Sequence, residues 1–139
     1  MTQEDKELLL KDLCARLSYG VKASYYGAEE ERETWDEIEG ITLDGCVDIG
    51  QYSLPIERIK PYLFPLSSMT DKDLIKFLQI KGMNLNSAEL KTFRRGTTAI
   101  VSTLPSYSRH FDWLNAHHFD YRGLIEKGLA IDATGLNIY

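Results

Sequence analysis

Three features of the sequence predict an α+β fold. The chain opens on an amphipathic helix pattern, continues in β-branched and aromatic runs of period two, and ends in a half punctuated by helix caps and glycine stops. The expected arrangement is an N-terminal helix packed on a small antiparallel meander or SH3-like barrel. A helical C-terminal half follows, with a terminal strand or hairpin. At 139 residues, 43% apolar and 27% charged, the chain matches one folded domain, 1–139. Residues 1–66 would supply the helix and meander, and residues 67–139 would be mainly helical.

The first helix is expected over about residues 3–18. Thr2 and Asp5 have the spacing of a capping box, Leu9, Leu10, Leu13, Cys14 and Leu17 recur at helical spacing, and Gly20 stops the run. Residues 21–26 and 34–43 then change to strand character, around Tyr25, Tyr26, Trp35, Ile38 and Ile41. Between them the acidic run 27–33 reads as a long solvated hairpin loop. Asp44-Gly45 and Gly50-Gln51 are turn signals that bracket strands at 46–49 and 52–54, and Pro55 ends the last strand or places it at an edge.

Residues 60–66 contain Pro61 and Pro65 and read as an extended apolar strap that buries Tyr62 and Phe64. Thr70 with Asp73 caps a helix carried by Leu74, Ile75, Phe77 and Leu78 to about Lys81, stopped by Gly82. Asn86 with Glu89 opens a short helix to about Arg95, and residues 97–103 are a strand or a buried linker. Ser106 or Ser108 then caps a helix on which Phe111, Leu114 and His118 share a face. A further short helix is expected from Asp120 to Lys127, ended by Gly128, then a strand at 129–132, a turn at Thr134-Gly135 and a final strand or docked tail at 136–139.

The bulk composition excludes several function classes. No apolar run approaches the length of a membrane span, and the acidic start lacks a signal-peptide pattern, so a cytoplasmic protein is expected. Cys14 and Cys46 match no zinc spacing and read as buried free thiols. The net charge of −5 disfavours broad nucleic-acid binding, although Lys91, Arg94 and Arg95 form a local basic group. Glycine loops of the phosphate-binding type and nucleophile elbows are absent from the sequence, and no cofactor is implied.

Two constellations stand out as candidate sites. His110, His117, His118, Asp112 and Asp120 fall within positions 110–120. On a helix, a separation of seven returns to within about 20° of the same face, so His110 and His117, with Asp120 as an oxygen ligand, are the metal candidates. The alternative is that His117 and His118 cap a helix end, where imidazolium favours the negative dipole. On that view His118 tolerates alanine, whereas Leu124 is core. The second constellation is Tyr25, Tyr26, Trp35 and Tyr52, which either pack in the core or stack on a peptide or nucleic acid. The favoured function is a non-enzymatic binding or accessory protein with an unknown protein partner. The competitors are a metal-dependent hydrolase built on the histidines and a nucleic-acid accessory factor.

Three blocks carry a resemblance. DKELLLKDLCARLSYGVK at residues 5–22, KPYLFPLSSMT at 60–70 and HHFDYRGLIEKGLAIDA at 117–133 resemble blocks in a group of small proteins of gut Bacteroides and their phages or prophages. The resemblance implies a mobile-element setting and a bacterial cytoplasm. It brings no activity, catalytic residue or cofactor with it.

Overall fold

The computed structural model describes residues 1–26, 34–80, 101, 104 and 108–139. The acidic run 27–33, the helix expected at 86–95, its basic group, the Gly82 stop and the Ser106 cap lie outside the described residues. Of the stretch 97–103, Val101 is described, and it is helical and buried.

The first helix, α1 (Gln3–Arg16), starts where the sequence places it. The Thr2 hydroxyl accepts from the Asp5 N–H at 3.1 Å, and the Asp5 carboxylate accepts from the Thr2 N–H at 3.1 Å. Together they satisfy two of the four donors that a helix start leaves open. The buried face of α1 is Leu9, Asp12, Leu13 and Arg16. Cys14 is therefore exposed, not buried, because it is rotated about 100° from Leu13 on the helix. Cys46 is half-buried.

Strands β1 (Lys22–Tyr25), β2 (Thr34–Ile41), β3 (Cys46–Ile49) and β4 (Tyr52–Pro55) form the expected antiparallel run. A register shift between Ile38 and Gly40 kinks β2. The turn between β3 and β4 requires glycine. Gly50 has φ +57°, and a Cβ there would lie 2.7 Å from the Tyr25 hydroxyl.

The largest departure from expectation is the strap, which is strand β5 (Ile59–Pro65), paired with β1 on one side. Further along it pairs in parallel with two short strands on opposite edges, β6 (Phe119–Asp120) and β7 (Ile131–Asp132): the Phe64 N–H donates to the His118 carbonyl, and the Leu63 carbonyl accepts from the Ala133 N–H. The sheet order is β4-β3-β2-β1-β5-β6, with β7 also on β5, so the sheet is open and mixed rather than a closed barrel or pure meander. Each stretch of β5 has its own partner, residues 59–61 with β1, 62–63 with β7 and 64–65 with β6, so Pro61 and Pro65 each fall at the end of a pairing.

Helix α2 (Asp71–Gln79) carries the predicted Thr70–Asp73 capping box, and helix α3 (Arg109–Ala116) is capped by Ser108. The described residues after α3 are not helical. Asp120 is in β6, and residues 123–128 make one turn closed by bonds from the Gly128 N–H to the Ile125 carbonyl and from the Leu129 N–H to the Leu124 carbonyl. That pair of bonds is a helix-stop motif with Gly128 at φ +73°, so the glycine has its expected conformation at the end of a single turn. The segment 136–139 is an irregular docked tail, not a strand, after a turn closed by the Leu136 N–H on the Ala133 carbonyl.

Packing follows in layers. The main core lies between α1 and the inner face of the sheet and includes Leu9, Leu13, Val21, Ala23, Ile38, Val47, Ile49, Ile59 and Leu63, closed by Leu124 and Leu129. A second cluster joins α2 to α3 through Leu74, Phe77, Leu78, Leu114 and Phe119. A third, smaller one holds Tyr62, Ala133 and Ile138 on the opposite face of β5. Among the described residues no helix is long and apolar enough to cross a membrane.

Candidate functional site: the outer face of the sheet

Strand register decides which aromatic candidates are available. Tyr25 faces the core with Ala23, is 6% exposed, and packs against half-buried Tyr52 with ring centroids 6.1 Å apart. Neither ring presents a stacking platform. Their neighbours in sequence do the opposite. Ser24 pairs with Trp35 and with Lys60, and Lys22 pairs with Glu37, so Lys22, Ser24, Trp35, Glu37 and Lys60 share the outer face. Trp35 is 45% exposed and Tyr26, just beyond β1, is 52% exposed.

Part of this outer face is already covered by the tail. The Tyr139 hydroxyl donates to the Tyr62 carbonyl at 2.8 Å and accepts from the Lys22 N–H at 2.9 Å. The Lys22 ammonium donates to the Ile138 carbonyl at 2.8 Å and stands 5.6 Å from the Tyr139 ring and 5.3 Å from the Trp35 ring. Lys22 thus stands at the boundary between the covered half and the open half. Burial pushes the Tyr139 phenol up to about 12. Beyond Lys22, a cleft of about 390 Å³ is lined by Ser24, Tyr26, Glu57, Arg58 and Lys60. A second cleft, of about 300 Å³, separates α1 from the β3–β4 edge, with Leu10, Cys46 and Ile56 among its walls and the Lys6–Glu57 ion pair at its rim.

The histidine candidates are not brought together. His110 is buried in the first turn of α3, with Nδ1 2.5 Å from the Ser108 hydroxyl and its ring edge-on to Phe77 at 5.0 Å. His117 is exposed at the C-cap, its Nδ1 2.9 Å from the Trp113 carbonyl and its ring stacked on Trp113 at 4.1 Å. That is the helix-end role that the alternative reading assigns to it. The Asp120 carboxylate accepts from the Leu124 and Ile125 N–H groups at 3.0 and 2.9 Å, which holds the following turn. Among the described residues no group of three or more His, Cys, Asp or Glu side chains converges.

His118 is not on the helix face that the periodicity suggests. It adopts φ +62° just after α3, is 8% exposed, and stacks on Tyr139 with centroids 3.7 Å apart. Burial, then the charges of Arg16, His117 and Lys22, push its imidazole down to about 4. It is therefore a neutral plank between the tail and the sheet.

One charged cluster escaped the sequence reading. Asp12 and Arg16, both fully buried, are joined by a 2.8 Å bond from Nε, and Arg122 Nη1 donates to the other Asp12 oxygen at 2.7 Å. Arg16 Nη2 donates to the Phe119 carbonyl at 2.7 Å, and both guanidinium groups lie near the Tyr121 ring. Its signal in the sequence is the Asp12–Arg16 pair, four apart in the middle of an apolar stripe. The cluster ties α1 to β6 and the following turn. Comparison with known proteins adds no relative: no family model matches the chain, and neither curated proteins nor solved structures yield a match.

Proposed function

We propose that this chain is a non-enzymatic binding or accessory protein that acts through protein contacts made by the open half of the sheet's outer face. The observation that carries this reading is the exposure of Trp35 on β2 and of Tyr26 just beyond β1, beside a face that already holds an irregular chain segment through Lys22 and Tyr139. Tryptophan and tyrosine concentrate binding energy at protein interfaces because they offer large area at little entropic cost. A second copy of this chemistry is already satisfied within the fold: Tyr139 and Ile138 occupy the neighbouring half, and Trp35 has no such cover among the described residues.

The resemblance of residues 5–22, 60–70 and 117–133 to small proteins of gut Bacteroides and their phages supports a phage or prophage origin. Its gene neighbourhood tests that part: replication or structural phage genes alongside support it, and housekeeping neighbours count against it. The binding role is tested by photo-crosslinking in a Bacteroides host, with the crosslinker placed at Glu37, on the same face as Trp35, or at Ile75 on α2. A single protein captured from position 37 and not from 75, which then binds the purified chain and is lost with Trp35→Ala, supports the reading. Capture that does not depend on position sinks it.

A further inference from the structure

We propose that the open half of the outer face recognises an acidic peptide segment, with carboxylates taken by Arg58 and Lys60 and an aromatic or apolar residue gripped between Tyr26 and Trp35. This inference rests on the protein-binding reading above and adds the chemistry of the partner. Charge complementarity carries it. The cleft beside Tyr26 holds two exposed cations, Arg58 and Lys60, and among the described residues neither forms an ion pair. The carboxylate on its lining, Glu57, is paired with Lys6, whose hydrogen bond also holds that carboxyl below its ordinary range. Glu37, another acid on this face, lies at the opposite end, level with Lys22 and against Gly20. Among the described residues the cations of this cleft, Arg58 and Lys60, lie at the Tyr26 end of the face.

The tail shows how the surface handles a chain segment. Lys22 donates to a main-chain carbonyl while an aromatic ring lies beside its ammonium, and the ring's hydroxyl reaches a strand carbonyl. One row further along, Lys60 and Trp35 flank buried Ser24 on the same face, a cation and an exposed aromatic on the strands either side of β1. The net charge of −5 does not oppose this. At physiological salt the Debye length is about 8 Å, so local cations dominate the encounter. A nucleic-acid strand would use the same aromatics and cations, but it spreads charge along its whole backbone and would meet Glu37 and Glu39, both exposed on β2, at the far end.

The test uses the full chain and fluorescein-labelled short peptides of alternating tyrosine with glutamate, glutamine or lysine, followed by anisotropy. Oligothymidylate serves as the nucleic-acid competitor. The glutamate peptide is expected to bind, and to bind about tenfold more tightly than the glutamine form, which is the scale of one charge-assisted contact. The Arg58→Glu, Lys60→Glu double variant, checked for an unchanged circular dichroism spectrum, should abolish that difference, and Trp35→Ala should weaken both peptides alike. Equal binding of the glutamate and glutamine peptides, both lost with Trp35→Ala, overturns the acidic preference and leaves the protein-binding face standing. Binding that ignores Trp35 and Arg58 alike overturns both. Displacement of the glutamate peptide by oligothymidylate at lower concentration assigns the face to nucleic acid instead. Absence of binding by every peptide overturns the acidic-segment assignment, while the crosslinking result still decides the protein-binding reading.

Discussion

Asp12 holds two arginines at once, and its removal leaves both without their anion. Asp12→Ala is expected to cost about 3–5 kcal/mol in urea unfolding, since breaking a buried pair strands a desolvated charge. Gly50→Ala should also destabilise, by about 1–3 kcal/mol, because its positive φ and the Tyr25 hydroxyl both oppose a side chain. His118 supplies the pH dependence. Its imidazole is depressed to about 4 when folded, from an ordinary 6.5, so the unfolded chain takes up the proton first as pH falls. The stability tied to its neutral form is complete above about pH 6.5 and is lost as pH drops towards 4. Thermal melts across that window should show a slope that flattens in His118→Asn, a residue that tolerates positive φ. His118→Ala should cost about 1–2 kcal/mol through the lost stack, against the sequence-based expectation of little effect. Periodicity misplaces His118 because α3 ends at Ala116 and the next two residues reverse direction. Asp12 and Arg16 are hidden from pattern reading for another reason: their partner Arg122 lies 110 positions away.

At the level of elements, what is local was legible. Both Thr–Asp capping boxes, the Ser108 cap and the strands at 46–49 and 52–55 follow from chemistry within three or four residues. What depends on distant partners was not. Two prolines mark residues 60–66 as a strap, yet residues 59–65 form β5, held along its length by β1, β7 and β6 in turn. The turn at 123–128 carries helix grammar but has room for one turn, since Asp120 is already committed to β6. Leu124 projects from it into the main core and is fully buried. Leu124→Ala is expected to cost about 2–5 kcal/mol by the cavity it leaves, measured by chemical denaturation. An effect within error of zero would mean that the turn does not close the core.

For the whole molecule, an α+β class was readable from the order of patterns, whereas the open mixed sheet was not, because parallel pairing to β5 has no local signature. Of the candidate site, Trp35 and Tyr26 were legible as aromatics in strand context, but the side that Trp35 faces is set by its register with β1. Trp35→Ala should leave the melting temperature within about 2 °C of the parent while removing binding, since Trp35 belongs to none of the buried clusters. The tail has a further consequence, for the order of synthesis. Tyr139 bridges to Lys22 across 117 positions and to Tyr62 across 77. On the ribosome, β1 and β5 emerge long before their cover does. Until Tyr139 clears the exit tunnel, Tyr62 and Phe64 face water, and the nascent chain displays a longer adhesive strip than the finished protein. Folding of the outer layer therefore waits for a residue made 77 positions after Tyr62, and a chaperone that shields aromatics would find its substrate in that interval.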